Sequence, residues 1–184
     1  HPNYGGNAPL RGSKWNLYEG GIRVPLLIRW PGVVVPGSIS DQPVWSPDLL
    51  PTFAEIAGGT SPTALDGISL VPGLRDPAAP DSERSMVWHF PYYHPEKRYL
   101  ASPDSIGIDD GVTSKTRPQS AIRAGDWKLI HFHERGISEL YDLSEDPSET
   151  TDLSTRSPER TERLQSKLRK YLNRVDARMP TRNE

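Results

Sequence analysis

Lys14 stands in a glycine-bounded loop, Arg11-Gly12-Ser13-Lys14, that leads through Tyr18-Glu19-Gly20-Gly21 into the apolar run Val24-Pro25-Leu26-Leu27-Ile28. A lysine held just before a sheet strand aims a compact cation at the sheet edge. The chemistry that suits it is binding of an anionic group such as sulfate or phosphate. The glycine spacing, and the lack of Ser or Thr after the lysine, exclude a nucleotide phosphate loop. A second cluster is Trp88-His89-Phe90-Pro91-Tyr92-Tyr93-His94. Its imidazoles (His89, His94) and rings (Tyr92) can hydrogen-bond and stack on a sugar or aryl group. Core packing is the plainer account of such an aromatic strand. His131 and His133 share a strand face at i, i+2, a spacing that can ligate a metal. No third ligand accompanies them, so a structural pair is the simpler reading and no metal residues are assigned. Asp109-Asp110-Gly111 lacks the remaining positions of a calcium loop and reads as a polar turn.

These residues need elements to position them. Residues 1–21 carry glycine and asparagine breakers and read as irregular loop. Residues 22–30, closed by Pro31-Gly32, predict a buried strand of an α/β sheet. Ser46-Pro47-Asp48 opens a helix by cap, proline and acid; Leu49, Leu50, Phe53, Ile56 and Ala57 continue it, and Gly58-Gly59 ends it. The proline-rich stretch 72–80 has little periodicity and marks a boundary, dividing the chain into residues 1–80 and 81–184. Beyond it, strands near 85–93, 121–123, 127–132 and 139–143 form an antiparallel meander, with turns at Ala124-Gly125-Asp126 and Glu134-Arg135-Gly136 and a polar loop over 101–118. A tail helix spans 157–178, with an apolar stripe of Leu164, Leu168, Leu172 and Val175. Residues 156–178 hold eight basic and three acidic side chains, whereas residues 139–152 hold six acids and no base. Either the helix packs near the acidic segment or the two faces are solvated independently.

The 184 residues carry a formal net charge of −2, 34% hydrophobic residues and no cysteine. That length suits one domain, or a domain with part of a neighbour. Nineteen prolines are about twice the usual share, which makes the chain folded but loop-rich. No run is long enough to cross a bilayer, and no basic footprint marks nucleic acid; neither partner is expected. Disulfides and thiolate metal sites are excluded. A first residue of His1 with no signal peptide after it leads to the expectation of a processed or shortened chain.

Taken with its flanks, the lysine loop resembles the second signature region of the sulfatases. The residues that carry the resemblance are Asn7-Ala8-Pro9-Leu10-Arg11-Gly12-Ser13-Lys14 and Tyr18-Glu19-Gly20-Gly21-Ile22-Arg23-Val24-Pro25. It continues in Asp48-Leu49-Leu50-Pro51-Thr52-Phe53, Leu65-Asp66-Gly67-Ile68, Ala121-Ile122-Arg123-Ala124-Gly125-Asp126-Trp127-Lys128, and Glu139-Leu140-Tyr141-Asp142-Leu143 through Pro147. The resemblance implies a sulfuric ester hydrolase with the alkaline-phosphatase-like α/β fold. In this chain it implies the end of the catalytic domain (1–80: lysine loop, strand, helix), then a small C-terminal subdomain (81–184: antiparallel sheet and helix).

By the same resemblance, Lys14 contacts the sulfate and steadies charge as the S–O bond breaks, and His89, Tyr92 and His94 belong to the substrate pocket. Formylglycine and calcium are implied for the full-length parent. The Cys/Ser-x-Pro-x-Arg and Asp-Asn-Gly motifs that supply them do not occur here. No cofactor is therefore expected in this chain, and the isolated chain is expected to be inactive. Expected partners are a sulfated small molecule or sulfated glycan, the N-terminal part of the catalytic domain, and further copies of the chain through exposed strand edges. A periplasmic or extracellular location is implied by the resemblance alone. Two alternatives stay open: a phosphoesterase or phosphonate hydrolase of the same superfamily, and a non-catalytic carbohydrate-binding module using Trp88, Tyr92 and Tyr93.

Overall fold

The computed structural model describes residues 7–12, 14–60, 64–77, 84–92 and 117–181. The chain forms two compact units, one of His1–Val24 with Val87–Glu184, the other of Pro25–Met86. The lysine loop therefore groups with the C-terminal sheet, whereas a cut at residue 80 would separate them. The tract 101–110 that carries Asp109-Asp110, and His94, lie outside the described residues.

The first unit is built on a four-stranded sheet in the order β1 (Ser85–Phe90), β2 (Gln119–Ala124), β3 (Trp127–Phe132), β4 (Ile137–Asp142). β2 and β3 pair antiparallel with Ala124 opposite Trp127, so Gly125-Asp126 is a two-residue hairpin loop. Gly125 has φ +59°, as a tight hairpin turn requires. β3 and β4 pair antiparallel with Lys128 opposite Tyr141 and Leu129 opposite Leu140. Alternation then sorts the side chains onto two faces. Val87, Ile122, Leu129 and Leu140 pack on Leu164, Leu168 and Leu172 of the tail helix, α4 (Pro158–Arg174). Ala121, Ile130 and Tyr141 pack instead on Leu17 and Tyr18 of the lysine loop. The sheet is thus a middle layer, with a helix on one face and the loop on the other.

α4 keeps the expected stripe but stops earlier than residue 178. Asp176 takes φ +48°, and Val175, expected in the stripe, is exposed. Ser157 caps with its carbonyl, which accepts from Thr161 N and Thr161 Oγ1 at 3.0 Å; its hydroxyl makes no cap bond. Among the acids of 139–152, Asp142, Asp146 and Asp152 serve nearby backbone and hydroxyl groups. Asp146 accepts from the amides of Thr150 and Thr151 at 2.8 Å, and Asp152 from Leu140 N at 3.0 Å and Ser154 N at 2.8 Å. These aspartates shape turns, whereas Glu139 and Glu149 reach the lysine loop.

The one-turn helix α1 (Glu19–Ile22) belongs to the first unit. The second unit contains a 3-10 turn (Ser46–Asp48), α2 (Leu49–Ile56) and α3 (Val71–Arg75). Buried in the second unit are Leu70, Val71 and Met86 together with a polar cluster. Asp48, fully buried, receives a two-pronged salt bridge from Arg84, with Arg84 Nη2 at 2.7 Å from Oδ2, and also accepts from Ile68 N at 2.9 Å. Thr52 Oγ1 donates to the Asp48 carbonyl at 2.6 Å and accepts from Leu70 N at 2.9 Å.

Two sequence expectations are corrected in this unit. Residues 23–30 form no strand, and Val24 and Leu27 are 77% and 89% exposed. A strand needs a laddered neighbour, and none of the described strands pairs with this run. Ser46 does not cap α2; it opens the 3-10 turn, and Asp48 Oδ2 accepts from Trp45 N at 3.1 Å. The stretch of little periodicity after residue 70 begins with a short helix, α3, with Pro72 in its first turn where a missing donor is tolerated.

Candidate functional site

The loop around Lys14 is tied at its neck. Gly20 N donates to the Arg11 carbonyl at 2.8 Å, and Asn7 Nδ2 donates to the carbonyls of Gly12 at 3.1 Å and Gly20 at 2.9 Å. Gly12 has φ +81°, and a Cβ there would collide with the Asn16 side chain. A Cβ on Gly20 would lie 2.5 Å from the Gly12 carbonyl oxygen, so the two crossing strands of the neck need both glycines. Asn16, Leu17, Tyr18 and Glu19 are buried, while Lys14 at the tip is exposed.

Below the neck, the loop is bonded to the sheet. Leu17 N donates to Gln119 Oε1 at 3.2 Å. Arg11 lies over the Tyr18 ring at 4.2 Å and donates to Tyr141 OH at 3.0 Å and the Glu149 carbonyl at 2.9 Å. Tyr18 and Tyr141 donate their hydroxyls to one oxygen, Glu139 Oε2, at 2.5 and 2.8 Å. Burial first, and then the Glu139 charge, push both phenols above their ordinary range, so they remain donors. Burial alone would lower Arg11, but the tyrosines and Glu139 outweigh it and raise it.

Beside this cluster, Lys128 is fully buried, with its ammonium 2.7 Å from Glu19 Oε1 and 2.8 Å from Glu149 Oε1. Glu149 Oε2 accepts from Glu19 N at 2.5 Å. Glu149 itself holds φ +54°, a left-handed conformation that lets its carboxylate and its carbonyl each serve the loop. Burial raises the Glu149 carboxyl above its usual range, and Lys128 pulls against that.

At the tip, Lys14 Nζ stands 4.6 Å from the centre of the Trp15 ring. Trp15 has φ +86°, an uncommon conformation for a residue with a side chain. Its ring meets Phe90 at 6.0 Å, and Phe90 meets Tyr92 at 5.8 Å. Of the residues chosen from sequence, Lys14 and Tyr92 are therefore joined by one run of aromatic rings. His89 faces the other way because neighbouring strand residues alternate. Its Nε2 lies 2.9 Å from the Arg178 carbonyl and its Nδ1 2.6 Å from Ser120 Oγ, which lies 2.7 Å from His133 Nε2. A carbonyl can only accept, so in the neutral ring His89 Nε2 carries hydrogen. Ser120 then donates to His89 Nδ1 and accepts from His133 Nε2.

His131 and His133 do share a face, with rings 5.0 Å apart, and His131 Nδ1 is 2.9 Å from Ser138 Oγ. Burial lowers His131, and burial with the two neighbouring imidazoles lowers His133 to about 4. Among the described residues no group of three or more His, Asp or Glu is placed to hold a metal. The described side chains thus offer no calcium ligand set. Sequence reasoning left Arg11, Trp15, Glu19, Lys128 and Glu149 unassigned. One signal was present: a lone lysine inside the apolar strand Trp127-Lys128-Leu129-Ile130 implies a buried partner.

The fold is shared with solved sulfatases. Residues 13–178 match the family N-sulphoglucosamine sulphohydrolase, C-terminal, and the chain belongs to it. A sulfatase of Formosa agariphila is 35% identical over 187 residues, covering 93% of this chain and 31% of that protein. Human arylsulfatase A is 34% identical over 151 residues, covering 78% of this chain and 28% of that enzyme. The solved structure of Ps i-CgsB in complex with k-i-k-neocarrahexaose superposes with a TM-score of 0.68 at 25% identity, over 89% of this chain and 32% of that one. That of BT4656 with its substrate D-glucosamine-2-N,6-O-disulfate gives 0.60 at 25% identity, over 85% and 29%. The chain spans less than a third of the length of these curated relatives.

Proposed function

We propose that this chain is the C-terminal part of a sulfuric ester hydrolase and supplies Lys14 to the sulfate of the substrate. The observation that carries the reading is an exposed ammonium at the apex of a loop whose base is buried and bonded to the sheet. A preorganised cation can meet charge that grows on the sulfate oxygens and leaving oxygen as the S–O bond breaks, without reorganising at that moment. Tyr92, on the same run of rings, offers a stacking surface for a sugar or aryl group. His94 and His89 are proposed as pocket residues by family likeness; His89 would have to act through its neighbours, since both its ring nitrogens are engaged.

The proposed substrate class is a sulfated glycan or small sulfate ester, in keeping with the ligands of BT4656 and Ps i-CgsB. The nucleophile and calcium belong, on this reading, to the rest of the parent, so the isolated chain turns nothing over. The exposed apolar surface of residues 25–86, including Leu27 and the Phe53 face of α2, is proposed to be covered by the rest of the parent. Periplasmic or extracellular placement is proposed from the family alone.

In the full-length protein, Lys14→Ala should lower kcat on 4-nitrophenyl sulfate about 10²–10³-fold, the range seen when one oxyanion donor is removed. Unchanged turnover at saturating substrate overturns the role of Lys14. Faster cleavage of 4-nitrophenyl phosphate than of the sulfate would instead favour the phosphoesterase reading.

A further inference from the structure

We propose that Glu19, Lys128 and Glu149 form a clamp that positions the lysine loop, making Glu19 a positioning residue for the reaction assigned to Lys14. This inference rests on that assignment. Glu19 is held twice: its carboxylate by Lys128 Nζ at 2.7 Å, and its amide by Glu149 Oε2 at 2.5 Å. Lys128 also lies 2.8 Å from Glu149 Oε1, so the three residues close a ring. Glu149 reaches the opposite side of the neck as well, since its carbonyl accepts from Arg11 Nη1 at 2.9 Å. Arg11 and Glu19 bracket Lys14 in sequence, and Gly20 N bonds to the Arg11 carbonyl at 2.8 Å. One residue, Glu149, thereby holds both strands of the loop that displays the ammonium.

Stability alone does not call for this arrangement. Well-packed apolar side chains are often as stabilising as a buried ion pair. Here all three side chains are almost wholly buried, with two carboxylates for one ammonium. What charged hydrogen bonds add over apolar packing is a fixed distance and direction. A displaced catalytic group loses rate steeply, with about 1 Å worth as much as 10²-fold. The second carboxylate oxygen of Glu19 faces Arg23 at 3.8 Å, so the ring also sets the chain direction where the loop leaves the sheet.

The clamp is tested in the full-length protein with Glu19→Ala and Glu19→Gln, reading amide hydrogen exchange and steady-state kinetics on 4-nitrophenyl sulfate. The glutamine keeps an oxygen for Lys128 and the same backbone amide; alanine keeps only the amide. Expected for Glu19→Ala is at least tenfold faster exchange over residues 14–20, with β2, β3 and β4 amides unchanged. Its kcat should fall at least tenfold, with KM within twofold. Glu19→Gln should stay within about threefold of wild type on every readout. Wild-type exchange in the loop of Glu19→Ala overturns the clamp. So does faster exchange that reaches the sheet equally, which would make the triad a general stabiliser. Loosening of the loop in Glu19→Ala alongside undiminished turnover by Lys14→Ala would uphold the clamp while removing the role given to Lys14.

Discussion

In the sheet-bearing unit Leu129, Ile130 and Leu140 are wholly buried, whereas in residues 25–86 Leu27 is 89% exposed and Ile39 87%. The two units draw on similar apolar residues and use them in opposite ways. Around the sheet, each face finds cover within the chain: α4 on one side, the lysine loop on the other. In residues 25–86 the polar knot of Asp48, Thr52 and Arg84 lies buried with only a few apolar residues, Leu70, Val71 and Met86 among them, and the apolar face of α2, with Leu50 and Phe53, is turned outward. On the function proposed above, that outward apolar face is where the rest of the parent packs. A region satisfied in both respects can hold a side chain in place.

The contrast can be broken first at its most buried charge. Lys128→Met leaves Glu19 and Glu149 buried without their cation, and should cost about 3–5 kcal/mol of unfolding free energy in urea. A loss below about 1 kcal/mol would mean that the loop and sheet are not joined through that lysine. Next comes a matched pair of truncations. Leu168→Ala, in the α4 core, should cost about 2–5 kcal/mol. Phe53→Ala, on the exposed face of α2, should change the stability of this chain by no more than about 0.5 kcal/mol. Equal costs for the two would erase the distinction between the units.

A smaller effect comes from His133. Burial, His131 and His89 hold its folded value at about 4, below the ordinary 6.5. The folded state therefore favours the neutral ring, and the unfolded state takes up the proton first as pH falls. Stability tied to this ring is fully present above pH 6.5 and is lost as pH drops through about 4. Urea midpoints measured at pH 7, 5.5 and 4.5 should fall less steeply for His133→Gln than for wild type. Parallel slopes would show that the ring is not held neutral by its neighbours.

Much of the sheet-bearing unit was legible in the sequence because its signals are local. The alternation through Trp127-Lys128-Leu129-Ile130, the Gly125-Asp126 turn, and the leucines at 164, 168 and 172 each declare an element within a few residues. The run 24–28 was misread for the complementary reason. Its composition is that of a buried strand, but strandhood depends on a neighbouring backbone, which local composition does not report. The site divided in the same way. Lys14 stood out by its glycine-bounded loop, whereas its supports, Glu19, Lys128 and Glu149, are far apart in sequence and meet only through the fold. His89 and Tyr92 looked equivalent in the string Trp88-His89-Phe90-Pro91-Tyr92; strand alternation sends His89 toward Ser120, while Tyr92 packs on Phe90.

The distances along the chain between the loop and its seat carry one more consequence, for how the protein is made. Arg11 finds its partners 130 and 138 residues later, at Tyr141 and Glu149, and Glu19 meets Lys128 109 residues later. On a ribosome adding about 5–20 residues per second, the wait for Glu149 is about 7–28 s. Until then the loop has been synthesised but has nowhere to dock. A chain released short of residue 149 would carry the lysine without its seat, so the loop is completed only once Glu149 has been made.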